Sequence, residues 1–256
     1  MPNIHLIDGE KGGIGKSMFC RVLAEYCQTE KIDFALIDTD RTNPDVGRVY
    51  VKGVSEEQTF FSEKEENDAK VDVIFETALS KMVLVNLPAQ IFPVVTDWIE
   101  RNELLTLGQE CGVQIYKWFV CTGEGDSIEL FLDSLKHFEK RLPHILVRNL
   151  GASGAKWETA PAEYERLEQI ISKYRIPTID LPKLPPLERD YIKKNQCSFA
   201  EASKKLKLMS KQRISIFLNK AYDAIESTQL ICASAPFGAA QGKQLSMNAD
   251  KEVKSA

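Results

Sequence analysis

The stretch DGEKGGIGKSMF, Asp8 to Phe19, decides the fold. It follows a short apolar run, NIHLI, and leads into the amphipathic pattern SMFCRVLAEYCQTE. Strand, glycine-rich loop and helix in that order is the context in which a phosphate loop works. Glycines let successive backbone N–H groups point at phosphate oxygens, and the helix that follows adds the positive end of its dipole. Gly12, Gly13, Ile14, Gly15, Lys16, Ser17 and Met18 form the candidate cradle. Lys16 would neutralise charge at the terminal phosphates, and the Ser17 hydroxyl would ligate Mg²⁺. The ordinary pattern G-x-x-x-x-G-K-[ST] requires a glycine where Glu10 stands.

Outward from the loop, β-branched apolar runs alternate with helical patterns. DFALID (Asp33–Asp38), KMVLVNL (Lys81–Leu87), VQIYKWFVC (Val113–Cys121), HILVRNL (His144–Leu150) and IPTIDLP (Ile176–Pro182) read as further strands. DSIELFLDSLKHFEKRL and APAEYERLEQIISKY read as helices between them. Strands spaced by helices of this length predict an α/β fold, a mostly parallel twisted sheet covered on both faces. A long helical stretch is expected over Ser198–Ser227. Residues 1–227 are expected to form one domain, and the Ala-, Ser- and Gly-rich 228–256 a flexible tail.

The chain has 256 residues, 43% hydrophobic and 27% charged, ordinary values for a soluble globular protein. A net charge of −4 does not mark a nucleic-acid binder, but charge is unevenly placed. Glu56–Glu76 holds eight acids and two lysines, whereas Arg189–Lys220 holds nine bases and two acids. The six cysteines show neither C-x-x-C spacing nor neighbouring histidines, which argues against a zinc site or disulfide framework. With no signal-peptide pattern and no apolar run near 18 residues, the expectation is a cytoplasmic protein without stable membrane insertion.

Lys11 makes the loop specific. KGGIGKS resembles the deviant Walker A loop of the ParA/MinD family of ATPases, in which a second lysine precedes the paired glycines and the residue before it is not restricted to glycine. The resemblance implies an ATP- and Mg²⁺-dependent homodimer in which Lys11 reaches across to the partner's phosphates. DTDRTNPDV resembles the family's first switch region, which implies that Asp40 orients the attacking water and that Asp38 lies near the metal. MVLVNLPAQ resembles the Walker B segment, with Asn86 where the family has aspartate and Gln90 where it has glycine. An amide offers a carbonyl oxygen but no charge, which puts metal affinity and turnover in question. Asn149 and Pro182 match the family's adenine pocket. DTDRTNPDV together with LVRNLG looks most like the plasmid mobilisation and stability branch (TraL-, MobD- and StbB-like proteins).

The family's members bind either DNA or membrane. Lys204, Lys205, Lys207, Lys211 and Arg213 would contact phosphates without reading sequence. The extreme C-terminus lacks the bulky apolar face of a membrane helix, which makes a membrane-associated positioning ATPase the weaker alternative. The function expected is a slow, partner-stimulated switch ATPase that binds DNA non-specifically and positions, partitions or mobilises DNA or another cargo. The alternative is an ATP-binding adaptor with little hydrolysis.

Overall fold

The computed structural model describes residues 2–50, 59–62, 68–152, 157 and 161–231. Six strands form one sheet: β1 (Asn3–Asp8), β2 (Phe34–Asp38), β3 (Met82–Asn86), β4 (Gln114–Cys121), β5 (His144–Asn149) and β6 (Thr178–Leu181). Their order is β2-β3-β1-β4-β5-β6 and every pairing is parallel. All six expected strands are present, with no end shifted by more than two residues. Strands covered on both faces exclude water from both, which is why each read as a nearly continuous apolar run.

The chain order explains which face each helix covers. From β1 the chain travels to the β2 edge through α1 (Lys16–Thr29). Each later crossover runs in the opposite direction, so the right-handed rule sends its helices to the other face. These are α3 (Asp68–Ala78), α4 (Phe92–Arg101), α5 (Leu104–Cys111), α6 (Gly125–Phe138) and α7 (Pro161–Tyr174). Beneath them lie two clusters, one around Ile4, Leu6, Val83, Val85 and Trp98, the other around Phe119, Phe131 and Leu146. The face occupied by α1 and the short α2 (Gly47–Tyr50) would stay half bare. It is completed by α8 (Pro186–Asn195), α9 (Phe199–Lys205) and α10 (Leu208–Ser227), which fold back after β6. Phe199, Ile214, Phe217, Ala221 and Ile225 join Phe19, Leu23 and Trp118 there.

The expected single helix over Ser198–Ser227 is two helices. Leu206 and Lys207 are extended, with ψ near 160°. Leu206 packs against the core cluster, so burial of that side chain turns the chain where neither Gly nor Pro marks a break. Ser198 and Glu201 form a reciprocal capping box at the start of α9. After α10 the Ile231 side chain is buried and its carbonyl accepts the Tyr26 hydroxyl at 3.5 Å. The remainder of the expected tail, 232–256, and much of the acidic segment Glu56–Glu76 lie outside the described residues.

Candidate nucleotide site

The direction of the chain reverses at β1, and in open parallel sheets that switch point is where ligands bind, outside the strands' carboxyl ends. The glycine loop sits there. Gly9 has φ 146° and a Cβ on it would overlap Ile14 and the Val120 carbonyl. Gly15, at φ 103°, is the N-cap of α1, and a Cβ would overlap the Asn149 amide. Both positions need glycine for sign of φ and for space.

Lys16 is buried and folds back on its own loop, donating to Gly9 O at 2.7 Å and Lys11 O at 2.9 Å. Burial pulls its ammonium below the usual lysine value, while the nearby Asp8, Glu10 and Asp40 hold it up. Two neutral carbonyls thus stand where phosphate oxygens would be stronger acceptors. Gly12 and Gly13 are exposed, and Ser17 and Met18 are half-buried in the first turn of α1.

Lys11 points to acids of its own chain. Its Nζ lies 3.0 Å from Glu124 and 2.6 Å from Asp126, at the start of α6. These hydrogen bonds raise the Lys11 ammonium and lower Asp126.

Asp38 and Asn86 end adjacent strands in register and meet side by side. Asn86 Nδ2 donates to Asp38 Oδ1 at 3.0 Å, and Val46 and Gly47 donate their backbone N–H to Oδ2 at 3.1 and 2.9 Å. Burial raises the Asp38 carboxyl above its usual range, and these hydrogen bonds oppose the rise. Asn86 Oδ1 is buried without a hydrogen-bond partner. An orphaned buried acceptor normally has a missing donor, and the water shell of a bound Mg²⁺ is one that fits this position. Asp40 closes a turn, accepting the N–H groups of Thr42 and Asn43 at 3.0 and 3.1 Å.

Asn149 props the loop from behind. Its Nδ2 donates to Ile14 O at 2.7 Å, while Oδ1 accepts Gly151 N and Ala152 N at 2.9 and 3.2 Å. Pro182 is half-buried just past β6, on the loop that approaches Gly151 through Lys183. The structure therefore gathers Lys11, Lys16, Ser17, Asp38, Asp40, Asn86 and Asn149 around one end of the sheet. The basic residues are elsewhere. Lys204, Lys205, Lys207, Lys211 and Arg213 are exposed on α9, α10 and the break between them, and Arg213 pairs with Glu188 at 3.1 Å.

Two features had no signal in the local sequence. Glu25 on α1 accepts the Tyr50 hydroxyl at 2.8 Å and Ala200 N at 2.9 Å, tying α2 to the start of α9. Lys117 in β4 is fully buried and pairs with Asp8 at 2.7 Å. A cavity of about 750 Å³ opens at the other end of the sheet, lined by Asn3, Lys81, Met82, Gln114, Tyr116 and Ile231. It lies away from the glycine loop.

These features define a parallel α/β fold with a glycine-rich loop at its switch point, and known proteins share the fold. MinD from Pyrococcus horikoshii, solved with Mg-ADP, matches with TM-score 0.54 at 11% identity, over 91% of this chain and 99% of its own. A putative plasmid partition protein from Borrelia burgdorferi bound to AMPPNP matches with TM-score 0.52 at 17% identity, over 89% and 100%. The fold is thus the MinD/ParA-type fold. In sequence, Protein MobD of Acidithiobacillus ferrooxidans is 24% identical over 230 residues, 88% of this chain and 96% of that protein. No protein-family model matches the chain. MobD is of the branch that DTDRTNPDV and LVRNLG resemble.

Proposed function

We propose that the chain is an ATP-dependent switch ATPase of the ParA/MinD type. The observation that carries this is the convergence of Lys16, Ser17, Asp38 and Asn86 on the glycine loop at the sheet's switch point. The likeness in fold to proteins solved with AMPPNP and Mg-ADP supports ATP and Mg²⁺ as the ligands. Lys16 would exchange its two carbonyl acceptors for phosphate oxygens, a gain in charge pairing. Ser17, Asp38 and Asn86 would hold the metal, directly or through its waters. Among the described residues no three His, Cys, Asp or Glu side chains form a ready metal cage, so Mg²⁺ would arrive with the nucleotide. Asp40 would orient water once its turn rearranges. Lys11 would leave Glu124 and Asp126 to reach the partner's phosphates, which makes dimerisation ATP-dependent.

The dimer would present two copies of Lys204, Lys205, Lys207, Lys211 and Arg213 to DNA phosphates, and a partner protein would stimulate slow hydrolysis. Asn149 and Pro182 would border the adenine. Among the described residues no helix is long and apolar enough to cross a membrane. Sedimentation with a non-hydrolysable ATP analogue or ADP tests the switch. A dimer with the analogue alone is expected, and a monomer in both would overturn it.

A second proposal has its own observation. Asp38 is already held by four donors, Asn86 among them, and Asn86 brings no charge. An adaptor that binds ATP with little turnover follows. Steady-state phosphate release, with and without DNA, separates the two.

A further inference from the structure

Two carboxylates stand at the entrance of the phosphate loop, Asp8 at the end of β1 and Glu10 one residue past Gly9. Each would repel a bound polyphosphate. Asp8 is 1% exposed, so water cannot screen it. Its only route to neutrality is protonation or a buried cation. The cation is there: Lys117 Nζ, with no solvent exposure, lies 2.7 Å from Asp8 Oδ2.

The surroundings hold that ammonium in place. Ser134 Oγ accepts from Lys117 Nζ at 3.0 Å, and the Phe92 and Phe138 rings lie 4.8 and 5.4 Å away. His144 Nδ1 lies 2.8 Å from Leu142 O and donates to it. That leaves Nε2 to accept the Ser134 hydroxyl proton at 2.9 Å, so Ser134 offers Lys117 only an acceptor. On the other side, Asp8 Oδ1 accepts Gly9 N at 2.6 Å, and Gly9 O accepts Lys16 Nζ. Lys117 is therefore three contacts from the lysine that would bind phosphate.

We propose that Lys117 is a positioning residue for the phosphate loop: it cancels the Asp8 charge from within the sheet, so that the Asp8 carboxylate fixes Gly9 without repelling nucleotide. A buried ion pair rarely adds stability over apolar residues of the same volume, so stability alone does not account for it. Glu10 feels the same charges: burial and then the nearby Asp8 raise its carboxyl above the usual range, and Lys117 and the Phe92 N–H oppose the rise. The inference rests on the ATP proposal above.

Four proteins test it: the unmodified chain, Asp8→Asn, Lys117→Met and the double variant. Mg-ATP affinity is measured by calorimetry at one pH near 8. Besides Lys117, the charged or titratable groups facing Asp8 are Glu10, Lys16, Cys121 and His144, and all four are common to the set. A unit charge roughly 6–12 Å from phosphate, at an effective dielectric near 20, changes affinity by about tenfold to a hundredfold. Lys117→Met should lose that much, because the Asp8 charge is then left without its buried counter-charge. The double variant should return to within about threefold of the unmodified chain, because both charges are gone. Asp8→Asn keeps the acceptor for Gly9 and should bind ATP no more weakly than the unmodified chain. A double variant as weak as Lys117→Met, or an equal loss in Asp8→Asn, would overturn the inference. If Lys117→Met does not fold, a double variant about tenfold or more weaker than the unmodified chain, or a loss of that size in Asp8→Asn, still overturns the inference. An unmodified chain that binds no ATP would overturn the ATP proposal, and this inference with it.

Discussion

Among single residues, Asn86 is the proposed metal-site position whose chemistry departs from a carboxylate. Asn86→Asp would place a second carboxylate against Asp38, 3.0 Å from the present amide. Two such groups cannot both ionise without a cation. The variant should melt at a lower temperature in EDTA and recover in excess Mg²⁺. Its phosphate release should rise by about tenfold, the gain of a charge-assisted contact. An unchanged Mg²⁺ response would remove Asn86 from the metal site. The histidines give a pH prediction. Burial pushes His144 down to about 4 and His5 to about 3, from 6.5. The unfolded chain then binds more protons than the folded one over that interval, so stability is intact above pH 6.5 and falls as pH drops through it. His144→Gln should flatten the part between pH 6.5 and 4, on the order of 3 kcal/mol at most, in urea titrations across pH.

Among the elements, connections far apart in sequence matter most. Tyr50 and Ala200 both donate to Glu25, so one α1 side chain joins α2 to α9. Tyr50→Phe should cost about 1–2 kcal/mol in urea unfolding, and an effect below about 0.3 kcal/mol would mean the bond does not form. The strands and the glycine loop were legible because their causes are local: apolar runs, glycines and turn residues within a few positions. Lys117 was not, because within VQIYKWFVC nothing distinguishes a buried lysine from a strand residue facing water. Its cause is Asp8, on a neighbouring strand. The break at Leu206–Lys207 was equally hidden, since tertiary burial of Leu206 and no breaker residue produces it. Lys11 was recognised through its motif, but its ion pairs with Glu124 and Asp126 required the fold.

For the molecule as a whole, the fold places the nucleotide site at one end of the sheet and the bases on helices packed against α1. Replacing Lys204, Lys205 and Lys207 by Ala should reduce the salt slope of DNA binding by about three phosphate contacts. All three are exposed, so thermal stability should hold. Arg213 is a poorer probe. It partners Glu188, which has no solvent exposure, and its removal would weaken the α8–α10 contact as well. DNA binding unaffected by the three lysines would move the interaction to another surface.

DGEKGGIGKSMF is proposed to cradle the phosphates of ATP. The most direct measurement is Mg-ATP binding by the unmodified chain and by Lys16→Ala, with folding checked by circular dichroism. Loss of one or two charge-assisted hydrogen bonds should weaken ATP by about a hundredfold, with the fold intact. Equal ATP affinity in the two folded proteins would contradict the phosphate cradle.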